Sequence, residues 1–128
     1  MTPAIWTIAE AGYEPGAQLW GIWEGARALG LLAMVDTRHG RPLPGDETDL
    51  TAAYLWLLLI DQSAQGKGVG TSALDHAKAT ARAWGFNRLT LTVVPKPGNA
   101  RPFYERHGFS ATGRLLYNGT ETEMACTL

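Results

Sequence analysis

The sequence predicts an α/β fold, α+β under some schemes, with a largely antiparallel central sheet, flanking helices and one parallel strand pair. Two observations predict it. An apolar run ending at Asp61 passes through a glycine-rich turn into a segment of helical apolar spacing, then into an alternating segment at Arg88. That is the pattern of strand, crossover helix and parallel strand. On either side lie pairs of short apolar segments joined by turn residues, the pattern of antiparallel hairpins. A chain of 128 residues fits a single domain, 1–128, and buries roughly two thirds of the surface its unfolded form exposes.

Trp6 to Glu14 carries an apolar rhythm over a short run and stops at Pro15-Gly16, so it reads as a short helix. Leu19 to Glu24 and Leu29 to Val35, separated by Gly25 and Ala26, read as a two-stranded hairpin. Between His39 and Asp49 the residues Gly40, Pro42, Pro44, Gly45 and Asp46 make a surface loop. Tyr54 to Ile60 is continuously apolar, as a strand buried on both faces would be. Val69, Ala73, Leu74, Ala77, Ala81 and Trp84 recur at helical spacing until Gly85, which caps the helix. Arg88 to Val94 alternates, with Leu89, Leu91 and Val93 on one face. Ala100 to Arg106 is a short helix holding Pro102 in its first turn and closed by Gly108. Phe109 to Tyr117 and Thr120 to Leu128 form a last hairpin, split by Asn118-Gly119.

Composition narrows the function. Hydrophobic residues at 45% and charged residues at 18% describe a globular chain, and a net charge of -1 with scattered basic residues argues against a nucleic-acid partner. The longest apolar stretch, Ala52 to Ile60, is too short to cross a bilayer, and no signal segment opens the chain, so a cytoplasmic protein without a membrane partner is expected. Cys126 is the one cysteine; it excludes an intrachain disulfide and reads as a small buried apolar group. His39, His76 and His107 lack metal-ligand spacing, so no metal is expected. His76 reads as an exposed helix residue, and His107 as a favourable charge at a helix C-terminus.

The chemistry concentrates in Gln65-Gly66-Lys67-Gly68-Val69-Gly70, between the strand ending at Asp61 and the following helix. Backbone N–H groups at such a helix N-terminus bind phosphate, and glycine permits close approach of its oxygens and a positive φ. Two better-known phosphate loops do not fit. A P-loop needs glycine where Asp61 stands and Ser or Thr where Gly68 stands, and the dinucleotide fingerprint needs a wider final interval than Gly68 to Gly70. A tight turn without ligand remains the alternative.

The spacing of Gln65, Gly68 and Gly70, followed about thirty residues later by Phe103-Tyr104-Glu105-Arg106-His107-Gly108-Phe109, resembles the GNAT superfamily of acetyltransferases. Tyr54-Leu55-Trp56 to Ile60-Asp61, with Tyr13-Glu14-Pro15-Gly16, is similar to its bacterial diamine or spermine/spermidine branch. The resemblance implies a sheet with a splayed parallel strand pair and an acetyl-CoA-dependent N-acetyltransferase. A primary amine, small molecule or polyamine, would attack the thioester directly in a ternary complex without metal. It implies cofactor contacts from Leu58, Leu59 and Ile60, from Gln65, Gly66, Lys67, Gly68, Val69, Gly70 and Thr71, and from Asn99 and Arg106. Tyr104 would be the general acid, with Phe103 and Phe109 in the core. For the base, Glu24, Asp36, Asp46, Glu47 and Asp61 all stay open, and the acidic cluster Asp46, Glu47 and Asp49 is either a solvated loop or a lure for a cationic amine.

Two features depart from the family pattern. Pro97 stands where an Asn is usual, the nearby Asn being Asn99, and the family's first strand and helix are expected to be missing. Leu19 to Glu24 would then be an exposed sheet edge, open to a second copy in a homodimer. A noncatalytic acyl-CoA-binding or regulatory module is the alternative function, and a piece of a chain that starts further upstream is a third reading.

Overall fold

The computed structural model describes residues 7–14 and 16–128. Seven strands form one sheet: β1 (Thr7–Glu14), β2 (Ala17–Glu24), β3 (Arg27–Val35), β4 (Ala53–Ile60), β5 (Arg88–Val93), β6 (Ser110–Leu116) and β7 (Glu121–Thr127), in the order β1-β2-β3-β4-β5-β7-β6. Among the described residues only β4 and β5 pair in parallel; the other neighbours are antiparallel. Two helices, α1 (Val69–Ala83) and α2 (Arg101–Arg106), complete the fold, with a single 3-10 turn at Gln62–Ala64. The mixed sheet, its parallel pair, the crossover helix and both hairpins agree with the sequence reading.

The first element does not. The expected helix at Trp6 to Glu14 is strand β1, paired with β2 from Thr7↔Trp23 to Glu14↔Ala17; Trp6 and Pro15 lie outside the described residues. The pairing shifts register between Glu10 and Gly12, and an extra residue of this kind breaks the alternation of faces. Over eight residues a phase break passes for helical spacing. It follows that β2 is not an edge: β1 covers it, and the place expected for a second copy is filled by the chain itself. The sheet's two edge strands are β1 and β6, and β6 is also irregular, with a register shift between Ala111 and Leu115 and Gly113 at φ +90°.

One face of the sheet carries both helices. Trp20, Leu32, Met34, Leu55, Leu89 and Leu91 pack against Leu74, Ala77 and Ala81 of α1 and Tyr104 of α2. This buried stripe matches the expected helical spacing, and α1 ends at Ala83 with Trp84 as its C-cap and Gly85 beyond it. Contrary to the expectation of an exposed residue, His76 lies half-buried, edge-on to Trp20 at 5.0 Å between ring centroids, with Nε2 lacking a hydrogen-bond partner among the described residues. Burial holds its pKa below the ordinary histidine value. Cys126 is buried as expected.

The opposite face is covered at one end by the loop between β3 and β4. Leu43 packs with Val35, Tyr54 and Leu116. The Glu47 carboxylate accepts hydrogen bonds from the backbone N–H of Tyr117 (2.9 Å) and Asn118 (3.3 Å), while the Tyr117 hydroxyl donates to the Pro42 carbonyl at 3.2 Å. Asp49 pairs with Arg88 and accepts from the Thr51 N–H. Glu47 and Asp49 are therefore braces, and of the acidic cluster Asp46 alone stays exposed as a solvated loop residue. Glu47→Ala leaves two hairpin donors without their acceptor and should lower unfolding stability by about 1–3 kcal/mol. Urea denaturation should register this as a lower midpoint at unchanged slope.

Candidate functional site

β4 and β5 pair only at Ala53↔Leu89 and Tyr54↔Thr90. Beyond these residues the strands part, and the side of β4 facing β5 loses its strand partner from Leu55 to Ile60. On its other side β4 stays paired with β3, but the register slips between Ala33 and Met34, opposite which Trp56 is the extra residue. The expectation of a strand buried on both faces thus holds for Tyr54 and Leu55 only; Trp56 and Leu59 are about half exposed, at 51% and 56%. Parting removes the neighbour that would have covered them.

The opening continues into a cleft of about 610 Å³ lined by Leu58, Ile60, Gln65, Gly66, Gly68, Gly70 and Thr71 on one side and Gly98, Ala100, Phe103, Tyr104, Arg106 and His107 on the other. Asp61 fixes the turn between β4 and the loop, its carboxylate accepting from the Ser63 N–H at 3.1 Å and from the Ser63 hydroxyl. These hydrogen bonds, aided by Arg27, hold its pKa below the usual carboxylate range. Gln65 donates back to the Ile60 carbonyl at 3.3 Å.

Gly68 is the N-cap of α1 in the left-handed region, at φ +87°, and no side chain among the described residues caps the helix. The first helical hydrogen bond runs from Ser72 N–H to Gly68 O, so the N–H groups of Val69, Gly70 and Thr71 have no acceptor among the described residues. A Cβ on Gly68 would meet nothing within 4 Å, and glycine is required there by φ. Gly70 is different: a Cβ there would stand 3.2 Å from Cζ of Phe103. That contact closes α1 onto α2, together with Thr71 Oγ1 3.3 Å from His107 Nε2 and the Lys78 ammonium donating to the His107 carbonyl at 2.7 Å.

The structure brings together most of the residues singled out from sequence but not all. Val69 is buried in the core beside Ile22 and Leu29, so only its backbone faces the loop. Lys67 is exposed on the turn, and Leu59 is outside the cleft lining. Asn99 uses both ends of its amide on the β5–α2 loop, donating to the Val94 carbonyl (2.9 Å) and accepting from the Arg101 N–H (3.1 Å). Phe103, read as a core residue, also lines the cleft, as does His107. Neither was legible as such, since their exposure depends on how α2 meets Gly70.

Tyr104 lies between Phe103 and Phe109 in edge-on contact, at 5.3 and 5.6 Å between centroids, and is 8% exposed. Burial pushes its phenol up to about 12. It keeps its proton throughout the neutral range. Its folded pKa exceeds the unfolded value near 10, so its contribution to stability is complete below about pH 10 and lost as pH rises through about 12. Between pH 9 and 12, Tyr104→Phe should therefore lose less stability than the wild-type chain, by on the order of 2 kcal/mol in urea titrations.

Comparison with known proteins agrees with this geometry. Residues 2–109 match the profile of the family described as Acetyltransferase (GNAT) family. The chain is 39% identical over 62 residues to the 5-NmdU N-acetyltransferase of Pseudomonas phage PaMx11, covering 48% of this chain and 42% of that protein. It is 33% identical over 104 residues to the mycothiol acetyltransferase of Geodermatophilus obscurus, covering 80% of this chain and 31% of that protein. The chain thus spans less than half the length of these curated relatives. Among solved structures, the PaiA N-acetyltransferase of Thermoplasma acidophilum in complex with coenzyme A superposes with a TM-score of 0.69 at 16% identity, over 88% of this chain and 62% of that one.

Proposed function

The chain belongs to the acetyltransferase (GNAT) family, and on that premise we propose that it transfers the acetyl group of acetyl-CoA to a primary amine. The observation that carries this reading is the uncapped N-terminus of α1 behind Gly68, opening on the cleft between β4 and α2. The free N–H groups from Gly66 to Thr71 fit a pyrophosphate, which helix N-termini favour through both hydrogen bonding and dipole. Arg106 at the rim and Lys67 on the turn add positive charge where phosphates would lie. Asn99, committed to its own loop, is left out of this set.

The pantetheine arm would run along the unpaired side of β4 at Leu58, Leu59 and Ile60, taking the backbone hydrogen bonds that β5 leaves unmade. A backbone N–H near Leu58 or Leu59 would polarise the thioester carbonyl. The amine nitrogen attacks the carbonyl carbon, the C–S bond breaks, and Tyr104, held protonated by burial, supplies a proton to the departing sulfur. The relatives' names, 5-NmdU N-acetyltransferase and mycothiol acetyltransferase, favour a small-molecule amine over a protein acceptor, and a polyamine is one member of that class.

Isothermal titration with acetyl-CoA tests the first half: micromolar binding is expected, and Gly68→Asp should abolish it by straining the cap and repelling phosphate. Absence of binding by the wild-type chain would sink the assignment. For the second half, Tyr104→Phe should lower kcat about 10²-fold or more while acetyl-CoA affinity stays within twofold.

A further inference from the structure

The gap between β4 and β5 has a second polar lining, on the face turned away from α1 and α2. Alternation along β5 puts Leu89, Leu91 and Val93 toward the helices and Thr90 and Thr92 on the other side. Thr92 pairs with Glu123, so Glu121, two residues before it, shares that face. Thr92 lies just past the last paired residues of the two strands, Tyr54 and Thr90. There the Thr92 hydroxyl donates to Glu121 Oε1 at 3.0 Å, and the Tyr54 hydroxyl is 3.1 Å from Thr92 Oγ1. A hydroxyl has one proton to give. Since Thr92 spends it on Glu121, Tyr54 donates to Thr92, and the two hydroxyls form a chain that ends at the carboxylate.

Glu121 is half-buried, and no cation pairs with it among the described residues. Its neighbour Glu123 is 1% exposed and already served by Thr112 (2.7 Å) and Arg114 (3.5 Å). The other ionisable groups nearby, Tyr54 and Tyr117, are phenols, and burial drives the Tyr54 phenol well above its ordinary value, so it brings no charge. Exposed Val94 continues the same face, and exposed Trp56 stands at the bulge across the gap. A carboxylate partly withdrawn from water without a cationic partner is an unfavourable arrangement until a cation reaches it, and the exposed Val94 and Trp56 offer that cation's carbon chain apolar surface.

We propose that Glu121 receives the ammonium of the acceptor and takes its first proton, with Thr92 and Tyr54 positioning the carboxylate. The proposal rests on the acetyltransferase reading and adds the base which sequence alone left open. The acceptor is then a primary amine on an apolar or aromatic carbon chain. It enters from the face opposite Tyr104. The ammonium gives one proton to Glu121, which passes it to water; the neutral nitrogen bonds to the acetyl carbon as the C–S bond breaks. The sulfur takes the proton of Tyr104, and the second proton shed by the nitrogen restores the phenol. Amide, thiol and one released proton balance the ammonium and the thioester.

The test uses 2-phenylethylamine and 1,4-diaminobutane as probe amines, with acetyl-CoA affinity measured in parallel. Glu121→Gln should raise KM for the amine at least tenfold and lower kcat, with acetyl-CoA binding unchanged within twofold and Glu121→Asp partly restoring the rate. Thr92→Val, which keeps the carboxylate but removes its donor, should move KM in the same direction by a smaller factor. An amine KM that stays within twofold in both folded variants would overturn the proposal, as would a wild-type chain that binds acetyl-CoA yet acetylates neither probe. Failure of the wild-type chain to bind acetyl-CoA would instead overturn the reading beneath it.

Discussion

Parallel strands normally continue side by side for as long as both last, yet β4 and β5 separate after two residue pairs, and the rest of the site depends on that separation. Trp56 is the local cause that can be named. It adds one residue to β4 opposite Met34 and Ala33, and a bulge bends and twists the strand that carries it. The β3 side absorbs the irregularity and stays paired, whereas the β5 side does not. Unpaired backbone groups, the path into the cleft and the exposure of Trp56 and Leu59 all lie along the stretch of β4 that begins at this inserted residue.

The two sides of the gap are chemically unlike. On the helix side Tyr104 sits among aromatic rings that keep its phenol neutral, while on the other side Glu121 stands at the end of two hydroxyls. Tyr104 lines the cleft on the helix side, and Glu121 belongs to the opposite face of the sheet, so the two groups do not pair with each other. Such a division suits the transfer proposed above between a charged amine and a departing thiolate.

Much of this was legible in the sequence because it is local. The glycines that start and follow α1, the spacing of Ala73, Leu74, Ala77 and Ala81, and Asn118-Gly119 in the last hairpin all report their own backbone. That hairpin is broader than the dipeptide suggests, since Leu116 pairs with Glu121 and Tyr117, Asn118 and Gly119 all have positive φ. What the sequence hid depends on pairing at a distance. The bulge at Glu10 to Gly12 disguised β1 as a helix, and the burial of β4 could not be judged without knowing where β5 leaves it. Asn99 stood close to an expected ligand position, but its amide closes a loop. Glu121 carries no local motif at all; only the register of β5 against β7 brings it beneath Thr92.

The two irregular edges also bear on how the chain behaves in a crowded solution. An open sheet invites further strands wherever a straight row of unpaired amides and carbonyls is offered. At one end β1 is interrupted between Glu10 and Gly12, and at the other β6 is interrupted between Ala111 and Leu115, with Arg114 there folded back onto Glu123 and the Glu47 carbonyl. Among the described residues neither border presents a long regular template, which disfavours stacking of one chain's sheet onto the next. The kinks that cost each edge some hydrogen bonding act as terminators against open-ended polymerisation.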